Sequence, residues 1–258
     1  MGEVMKLKIM TFNIRYDNPA DGKNAFAGRR DMIIDFLRRE RPDLIGFQEI
    51  VHVIRHSLAE ALPEYAFLAI DLGDGYRNDV AVAYRRDRLD LLKLEQFWLS
   101  DTPDVPHTRY AGGSPFDRMA TLVTLVDRAE RRPLTLLNSH LDHISDEARE
   151  KGAALLLERL APYLDTPCFL TGDFNARPNT RAAKILTEHP ALCDLTAPLG
   201  ESAATCHDYG RITENCKIDY IFASHAVRPI DGTLMMHTDE IDGVYLSDHY
   251  PISIEVEI

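Results

Sequence analysis

The sequence predicts an α/β fold in which two β-sheets pack face to face and helices cover their outer surfaces. Apolar runs of strand length recur along nearly the whole chain, and helical stripes separate several of them. The chain has 258 residues, shows no internal repeat, and places strands on both sides of each long polar loop. A single domain over residues 1–258 is therefore the better interpretation.

The elements follow from hydrophobic periodicity. The predicted strands are residues 6–14, 43–47, 65–70, 80–84, 89–99, 120–126, 134–138, 168–170, 218–223, 234–237 and 252–258. The predicted helices are residues 29–39, 53–62, 146–164 and 180–188. Pro42 ends the first helix, and the third has the clearest stripe, with Leu156, Leu160 and Leu164 on one face.

Composition limits the partners of the protein. A net charge of −12 and a pI near 5.3 argue against a broad basic surface for duplex nucleic acid. The charge does not exclude nuclease activity, because a bound cation can supply local positive charge. The four cysteines lack C-x-x-C spacing, so a zinc ribbon is not expected. With no long apolar segment, we expect a cytoplasmic protein without stable membrane insertion.

The functional signal is a set of short polar clusters, each at the edge of an apolar strand-like run. Such positions converge on one site in layered β proteins. The candidates are Asn13 in MTFNIR, Glu49 in LIGFQEI, His140 in NSHLDH, Asp173 and Asn175 in TGDFNARP, Asp219 in KIDYIF, and Asp248 and His249 in SDHYP.

Each cluster alone fits a solvated turn or strand end, but their repetition favours a catalytic site. Carboxylates and amides without a matching Cys or His triplet favour a hard ion, Mg²⁺ or Mn²⁺, over zinc. Such an ion suits hydrolysis of phosphate esters, in which an acid activates water and His and Asn donors meet the developing charge. A serine-hydrolase elbow and a Walker-type loop are both missing from the sequence.

In this order, the clusters N-I-R, Q-E, H-L-D-H, G-D-F-N, I-D-Y-I-F and S-D-H resemble the endonuclease/exonuclease/phosphatase superfamily over nearly the whole chain. That family includes abasic-site endonucleases, deoxyribonuclease I, inositol-polyphosphate 5-phosphatases, bacterial sphingomyelinases and poly(A) deadenylases. The resemblance implies a four-layer α/β/β/α sandwich of two mostly antiparallel sheets, with helices outside and the site at one end of the sheets.

The resemblance also implies roles for individual residues. Glu49 would be the direct metal ligand, with Asn13 on the metal side and Asp248 near the cation. Asp173 would orient or deprotonate the attacking water, and Asn175 would hold the phosphate. Asp219 would hold the ring of His249, whose pKa should then be raised. His140 would contact the phosphate or protonate the leaving group.

Further candidates for substrate contact are Arg15, Arg118, His207 and Asp142. Arg15 stands where abasic-site endonucleases carry another acid, and it either contacts phosphate or points outward from a strand. If the strand at His140 continues, alternation places Asp142 on the same side as His140, and His143 on the opposite side. A plain surface or structural role competes with each of these assignments.

The predicted activity is metal-dependent hydrolysis of a phosphate ester, as a phosphodiesterase or phosphatase on a small substrate. A DNA or RNA nuclease is the first alternative, and it would need a basic cleft rim formed by Arg15, Arg77, Arg85, Arg109 and Arg118. A sphingomyelinase-like enzyme would need an exposed apolar hairpin. A non-catalytic binding module would have no physical need for the complete set of polar residues.

Overall fold

The computed structural model describes residues 4–70 and 80–258. Its strands are β1 Lys6–Asn13, β2 Leu44–Gln48, β3 Tyr65–Leu68, β4 Val80–Arg85, β5 Leu89–Trp98, β6 Met119–Asp127, β7 Pro133–His140, β8 Cys168–Asp173, β9 Leu192–Asp194, β10 Asp219–Ser224, β11 Arg228–Pro229, β12 Met235–Met236, β13 Glu240–Ile241, β14 Val244–Tyr245 and β15 Ile252–Glu257. The α-helices are α1 Phe26–Glu40, α2 His52–Ala61, α3 Asp146–Leu160 and α4 Arg181–Thr187.

Two mixed sheets form the centre of the described chain. One has the order β11-β15-β1-β2-β4-β3, with β12 also paired to β15, and the other has the order β5-β6-β7-β8-β10-β9. The pairs β1–β2 and β7–β8 are parallel, and the remaining ladders of both sheets are antiparallel. Strands β13 and β14 form a separate hairpin.

Three apolar clusters hold the four layers together. The central cluster joins the inner faces of the two sheets, with Ile9 and Val82 from one sheet and Leu136 and Phe169 from the other. A second cluster packs α1 and α2 on the first sheet, and a third packs α3 and α4 on the second sheet. Burial of these alternating apolar faces is the main driving force for the sandwich. The predicted fold class is therefore confirmed.

The space between the sheets becomes polar toward one end. Gln48 donates its side-chain amide to Asn138 Oδ1 at 2.7 Å, and Thr171 donates to the same oxygen at 3.2 Å. Asn138 in turn donates to the backbone carbonyl of Phe47 at 2.7 Å. A Cβ at Gly46 would lie 2.2 Å from Thr171 Oγ1, so this close approach requires glycine. The network fixes the register of the sheets next to the polar strand ends.

The predicted elements agree with the structure in type, and their ends differ by a few residues. The predicted strand at 168–170 continues to Asp173, because its last residues stay paired with β7 and β10. The predicted 146–164 helix ends at Leu160 and continues as a 3₁₀ turn over Ala161–Tyr163, where Pro162 removes a backbone donor. The sequence patterns missed the short strands β9, β11, β13 and β14.

Candidate active site

A cleft of about 680 Å³ opens at one end of the two sheets. The ends of β1, β2, β7, β8 and β10 and the loop before β15 carry its polar residues. The described residues that line it are Arg15, Tyr16, Glu49, Val51, Arg109, Pro115, Phe116, Asp117, Arg118, His140, His143, Asp173, Asn175, Cys206, Ile218, Asp248 and His249. Eight of the twelve site residues predicted from sequence belong to this lining.

Asp173 lies at the centre of the polar network. Its Oδ2 accepts a hydrogen bond from Asn13 Nδ2 at 2.9 Å, and the Nε2 atoms of His140 and His249 lie 3.5 Å and 3.8 Å from that oxygen. Its Oδ1 accepts the backbone N–H of Asn175 at 2.9 Å. Burial disfavours the charged form, but the two histidines and the two donors outweigh it, so the pKa of Asp173 is lowered. The carboxylate is therefore ionised at neutral pH.

His249 and Asp219 form a buried pair beside Asp173. Nδ1 of His249 lies 2.9 Å from Oδ2 of Asp219, which also accepts a hydrogen bond from the Thr205 hydroxyl at 2.7 Å. Burial works against a charged ring, but the carboxylate of Asp219 overcomes it and raises the pKa of His249 well above its usual value. Burial, together with nearby Asp173, raises the pKa of Asp219 itself. The pair implied by the resemblance is thus present as a contact.

Glu49 lies on the side of Asn13 that faces away from Asp173. Its Oε2 accepts the backbone N–H of Tyr16 at 3.1 Å, and its Oε1 lies 3.4 Å from Asn13 Nδ2. Asn13 therefore bridges the carboxylates of Glu49 and Asp173. Glu49 has a φ of 58°, an uncommon conformation for a residue with a side chain. Arg15 and Asn175, with φ of 60° and 46°, share this feature, and all three residues lie just beyond strand ends at the cleft.

Arg15 does not belong to strand β1, which ends at Asn13, so the alternative of an outward-pointing strand residue is wrong. Its guanidinium forms two hydrogen bonds with Asp21, at 2.9 Å and 3.2 Å, and lies 3.5 Å from Asp248 Oδ2. Burial opposes the charged form, but Asp21, Asp248 and Glu49 raise the pKa of Arg15. Arg15 lines the cleft as part of a charged network rather than as an isolated phosphate ligand.

The wall opposite Arg15 contains Arg118 and His143. Nη2 of Arg118 lies 2.9 Å from His143 Nδ1. Strand β7 ends at His140, so the condition for the alternation argument is not met. His143 lines the cleft, whereas Asp142 does not. Both oxygens of Asp142 accept backbone N–H groups, from Ser114 on one side and from Ile144 and Ser145 on the other. This placement supports two loops and leaves no cleft-facing role for that carboxylate.

His207 lies beneath the cleft and outside its lining. Its ring stacks on Tyr250 with centroids 3.7 Å apart, and its Nδ1 accepts the backbone N–H of Gly210 at 3.0 Å. Burial and the charge of His249 lower the pKa of His207 to about 4, so the ring is neutral at physiological pH. The backbone N–H of His207 donates to the carbonyl of Asp248. The position of His207 therefore favours a structural role in which it supports the loop that carries Asp248.

Two groups of residues have the chemistry to bind a divalent cation. Ligand atoms of Asp173, Asp219 and His249 lie within 4.8 Å of one another. However, Asp219 and His249 are already hydrogen-bonded to each other, so they are poorly suited to be the primary ligands. Glu49 and Asp248 face the open cleft and offer carboxylate oxygens, the donors that Mg²⁺ and Mn²⁺ prefer. This donor set fits a hard cation.

Only part of the predicted basic rim lies at the cleft. Arg15, Arg109 and Arg118 line it, whereas Arg85 lies at the opposite end of strand β4, where it pairs with Asp43 at 3.1 Å. Strand β4 begins at the cleft end of the sheet and finishes at the far end. Arg85, its last residue, is therefore not a rim residue. Arg77 lies outside the described residues.

The sequence patterns did not reveal the role of Arg29, which was predicted only as the start of a helix. The side chain is fully buried, and it donates hydrogen bonds to the carbonyls of Ile14, Arg15, Asn24 and Leu246. It thereby ties the turn after β1 to the segment just before Ser247. A basic residue on an otherwise amphipathic helix gives no sequence signal for such a position, because it is normally solvated.

We expect Arg29→Met to lower the free energy of unfolding by about 3–5 kcal/mol, because it leaves four buried carbonyls without their donor. Urea denaturation measures the change. The control is Arg30→Met, because Arg30 is a neighbour on α1 whose side chain is 37% exposed, and this substitution should cost less than about 1 kcal/mol. Equal stability of the two variants would contradict the assigned role.

Comparison with known proteins places this geometry in context. The model of the Endonuclease/Exonuclease/phosphatase family matches residues 10–249. An uncharacterized protein of Acanthamoeba polyphaga mimivirus is 26% identical over 247 residues, covering 89% of this chain and 91% of its own.

No helix in the described ranges has the length and apolarity needed to cross a membrane.

Solved structures show the same fold. An endonuclease/exonuclease/phosphatase from Bacteroides vulgatus is 29% identical with a TM-score of 0.88, covering 98% of this chain and 99% of that chain. The mannosyl-6-phosphatase of Bacteroides thetaiotaomicron is 25% identical with a TM-score of 0.80, covering 97% and 99%. D. rerio TDP2 with a single-stranded DNA product is 21% identical with a TM-score of 0.76, covering 97% and 98%, and shows likeness of fold alone.

Proposed function

Because the chain belongs to the endonuclease/exonuclease/phosphatase family, whose hydrolases act on phosphate esters, we propose that it is a divalent-metal-dependent phosphoesterase that hydrolyses a small phosphorylated substrate. The observation that carries the proposal is the ionised Asp173 between His140, His249 and Asn13 on the floor of the cleft. This arrangement places a carboxylate that can accept a proton from water next to side chains that can donate hydrogen bonds to a phosphate.

The proposed roles follow from the contacts. Asp173 orients a water molecule and takes its proton as the new P–O bond forms. His249, kept as imidazolium by Asp219, donates from Nε2 to a phosphate oxygen. Asn175 holds the phosphate with the amide hydrogen that is not donated to the carbonyl of Leu141. His140 contacts the phosphate or gives a proton to the departing oxygen as the ester bond breaks.

Glu49 and Asp248, with Asn13 beside them, would hold Mg²⁺ or Mn²⁺ at the other side of the cleft. The cation, when bound, polarises the phosphoryl oxygens and neutralises charge that builds up during hydrolysis. Arg15 adds a fixed positive charge near Asp248, and Arg118 adds another on the opposite wall. The substrate phosphate would thus enter between two positively charged groups.

A small substrate is favoured over a long nucleic acid. The cleft volume of about 680 Å³ lies in the range of about 300–1,000 Å³ that is common for small-molecule sites. Arg15 and Arg109 on its rim are paired with Asp21 and Asp117, which weakens their attraction for a polyanion. The described hairpin β13–β14 exposes Ile241 beside the acidic Glu240 and Asp242, which does not favour a lipid surface. A cytoplasmic location is part of the proposal.

A substrate panel tests the proposal. The purified protein is incubated with Mn²⁺ and sugar phosphates, nucleoside monophosphates, bis-p-nitrophenyl phosphate, sphingomyelin, plasmid DNA and RNA, and product release is measured for each. We expect turnover of one or more of the small esters and little cleavage of the polymers. Cleavage of DNA or RNA at a much higher kcat/KM would support the nuclease instead, and failure on every ester would refute the proposed activity.

A further inference from the structure

The wall of the cleft opposite Glu49 carries an unusual feature, an exposed phenylalanine. The side chain of Phe116 is 58% exposed although it lines a cleft in which most of the floor is polar. Exposed aromatic rings in clefts commonly provide contact area for a ligand. The catalytic roles proposed above make no use of Phe116, so its place in the cleft calls for a different explanation.

The position of Phe116 is fixed by its surroundings. Its backbone N–H donates to Ser114 Oγ at 3.3 Å, and its carbonyl accepts from the same hydroxyl at 3.1 Å. Ser114 is in turn anchored because its N–H donates to the buried Asp142 carboxylate at 2.6 Å. Asp142 also binds the N–H groups of Ile144 and Ser145, so one carboxylate fixes the loop of Phe116 relative to the loop of His143.

His143 lies directly beside the exposed ring. The two rings are stacked with centroids 6.2 Å apart and planes inclined by 30°. Nη2 of Arg118 donates to His143 Nδ1 at 2.9 Å, because a guanidinium has no acceptor. His143 is therefore neutral, with its proton on Nε2, which agrees with a pKa lowered by burial and by Arg118. The wall thus combines an apolar ring face with a neutral donor and a cation.

Resting on the proposed function, we propose that Phe116, His143 and Arg118 form the subsite for the leaving group of the substrate, and that this group is a sugar ring. A pyranose offers an apolar C–H face to Phe116 and hydroxyl groups around its edge. The edge has suitable partners in the Arg109 and Asp117 pair, whose charged groups lie 3.4 Å apart at the same rim. Carboxylate oxygens accept from hydroxyls, and guanidinium groups donate to them.

A nucleobase fits this wall less well. A base presents two aromatic faces and gains most from rings on both sides, or from a series of stacked bases. Apart from the histidines, the other aromatic ring in the described cleft lining is that of Tyr16, and the guanidinium of Arg15 covers it at 4.6 Å from the centroid. One open ring face beside an acid and several donors therefore matches a polyhydroxylated ring better than a planar base.

The test compares three phosphate monoesters on the intact protein with Mn²⁺: a hexose 6-phosphate, glycerol 3-phosphate and AMP. We expect Phe116→Ala to raise KM for the hexose 6-phosphate about 10-fold and to change kcat/KM for glycerol 3-phosphate less than 2-fold. Phe116→Tyr should restore most of the lost affinity, because it keeps the ring face. The control is Val105→Ala, since Val105 is 51% exposed in the same long loop but does not line the cleft.

The outcomes separate the two proposals. Equal losses on all three esters after Phe116→Ala, or no loss on any of them, would overturn the sugar subsite while leaving the phosphoesterase activity in place. A selective loss on AMP would assign the wall to a base and would also overturn the inference. If the unaltered protein hydrolyses none of these three esters but turns over another ester of the panel, the sugar subsite alone is overturned. Failure on every ester of the panel would remove the proposed function as well.

Discussion

Asp219→Asn is expected to lower kcat by about 10²–10⁴-fold while the protein stays folded, a range comparable to that seen when an aspartate that orients a catalytic histidine is changed to asparagine in unrelated hydrolases. The carboxylate lies 2.9 Å from His249 Nδ1 and is 1% exposed, so no water can substitute for its charge. An asparagine at this position would leave the ring neutral and free to adopt the other tautomer. Steady-state kinetics on the best ester of the panel measures the loss.

The matched control is Asp194→Asn on the neighbouring strand β9. Asp194 pairs with Lys217 at 3.4 Å and with Thr196, and it lies outside the cleft lining. Its side chain is 12% exposed, so both substitutions remove a largely buried charge from the same sheet. We expect Asp194→Asn to reduce stability and to leave kcat within about 3-fold of the unaltered protein. A similar loss of kcat in both variants would mean that Asp219 acts only through stability.

The same substitution should alter the dependence on pH. Asp219 raises the pKa of His249 in the folded state above its unfolded value, so the resulting stabilisation is fully present below pH about 6.5 and is lost as pH rises through the folded pKa. The stability deficit of Asp219→Asn should therefore be larger at pH 6 than at pH 9. The alkaline limb of the kcat profile should also move to lower pH, because the imidazolium of the variant loses its proton earlier.

Strand ends were the part of the site that sequence patterns could predict. Asn13, His140 and Asp173 are the last residues of β1, β7 and β8, and the ladders align His140 directly with Asp173. A polar residue at the end of a buried apolar run is costly unless it has a partner, so the pattern carries physical information. The same reasoning extends to Asp219, which begins β10 opposite Asp173.

Residues that depend on loop conformation were not predictable in this way. Asp142 lies just beyond the end of β7, where the two-residue alternation no longer applies, and its carboxylate turns to backbone N–H groups. Phe116 and Arg29 owe their positions to contacts with distant segments, which a local pattern does not encode. The position of Arg85 relative to the cleft was also not predictable, because only the pairing of the strands reveals which end of β4 faces the cleft.

Glu49→Gln is expected to weaken binding of Mn²⁺ and to lower kcat/KM at micromolar metal by about 100-fold or more. Glu49 is held toward the cleft by the N–H of Tyr16 at 3.1 Å, and glutamine removes the negative charge while keeping the shape. Excess Mn²⁺ should restore part of the rate. Treatment with EDTA should abolish the activity of the unaltered protein, and added Mg²⁺ or Mn²⁺ should recover it.

Thermal unfolding gives a second measurement that does not depend on turnover. A cation that binds only the folded state raises Tm with its concentration, so the unaltered protein should show a shift of Tm that Glu49→Gln loses or needs much more metal to reach. Glu60→Gln is the control, because Glu60 is an exposed carboxylate on α2 and should leave the shift unchanged. The same metal dependence of Tm in the unaltered protein and in Glu49→Gln would exclude Glu49 as the ligand and would return the assignment to the group formed by Asp173, Asp219 and His249. Full activity of the unaltered protein after chelation would refute the metal dependence itself.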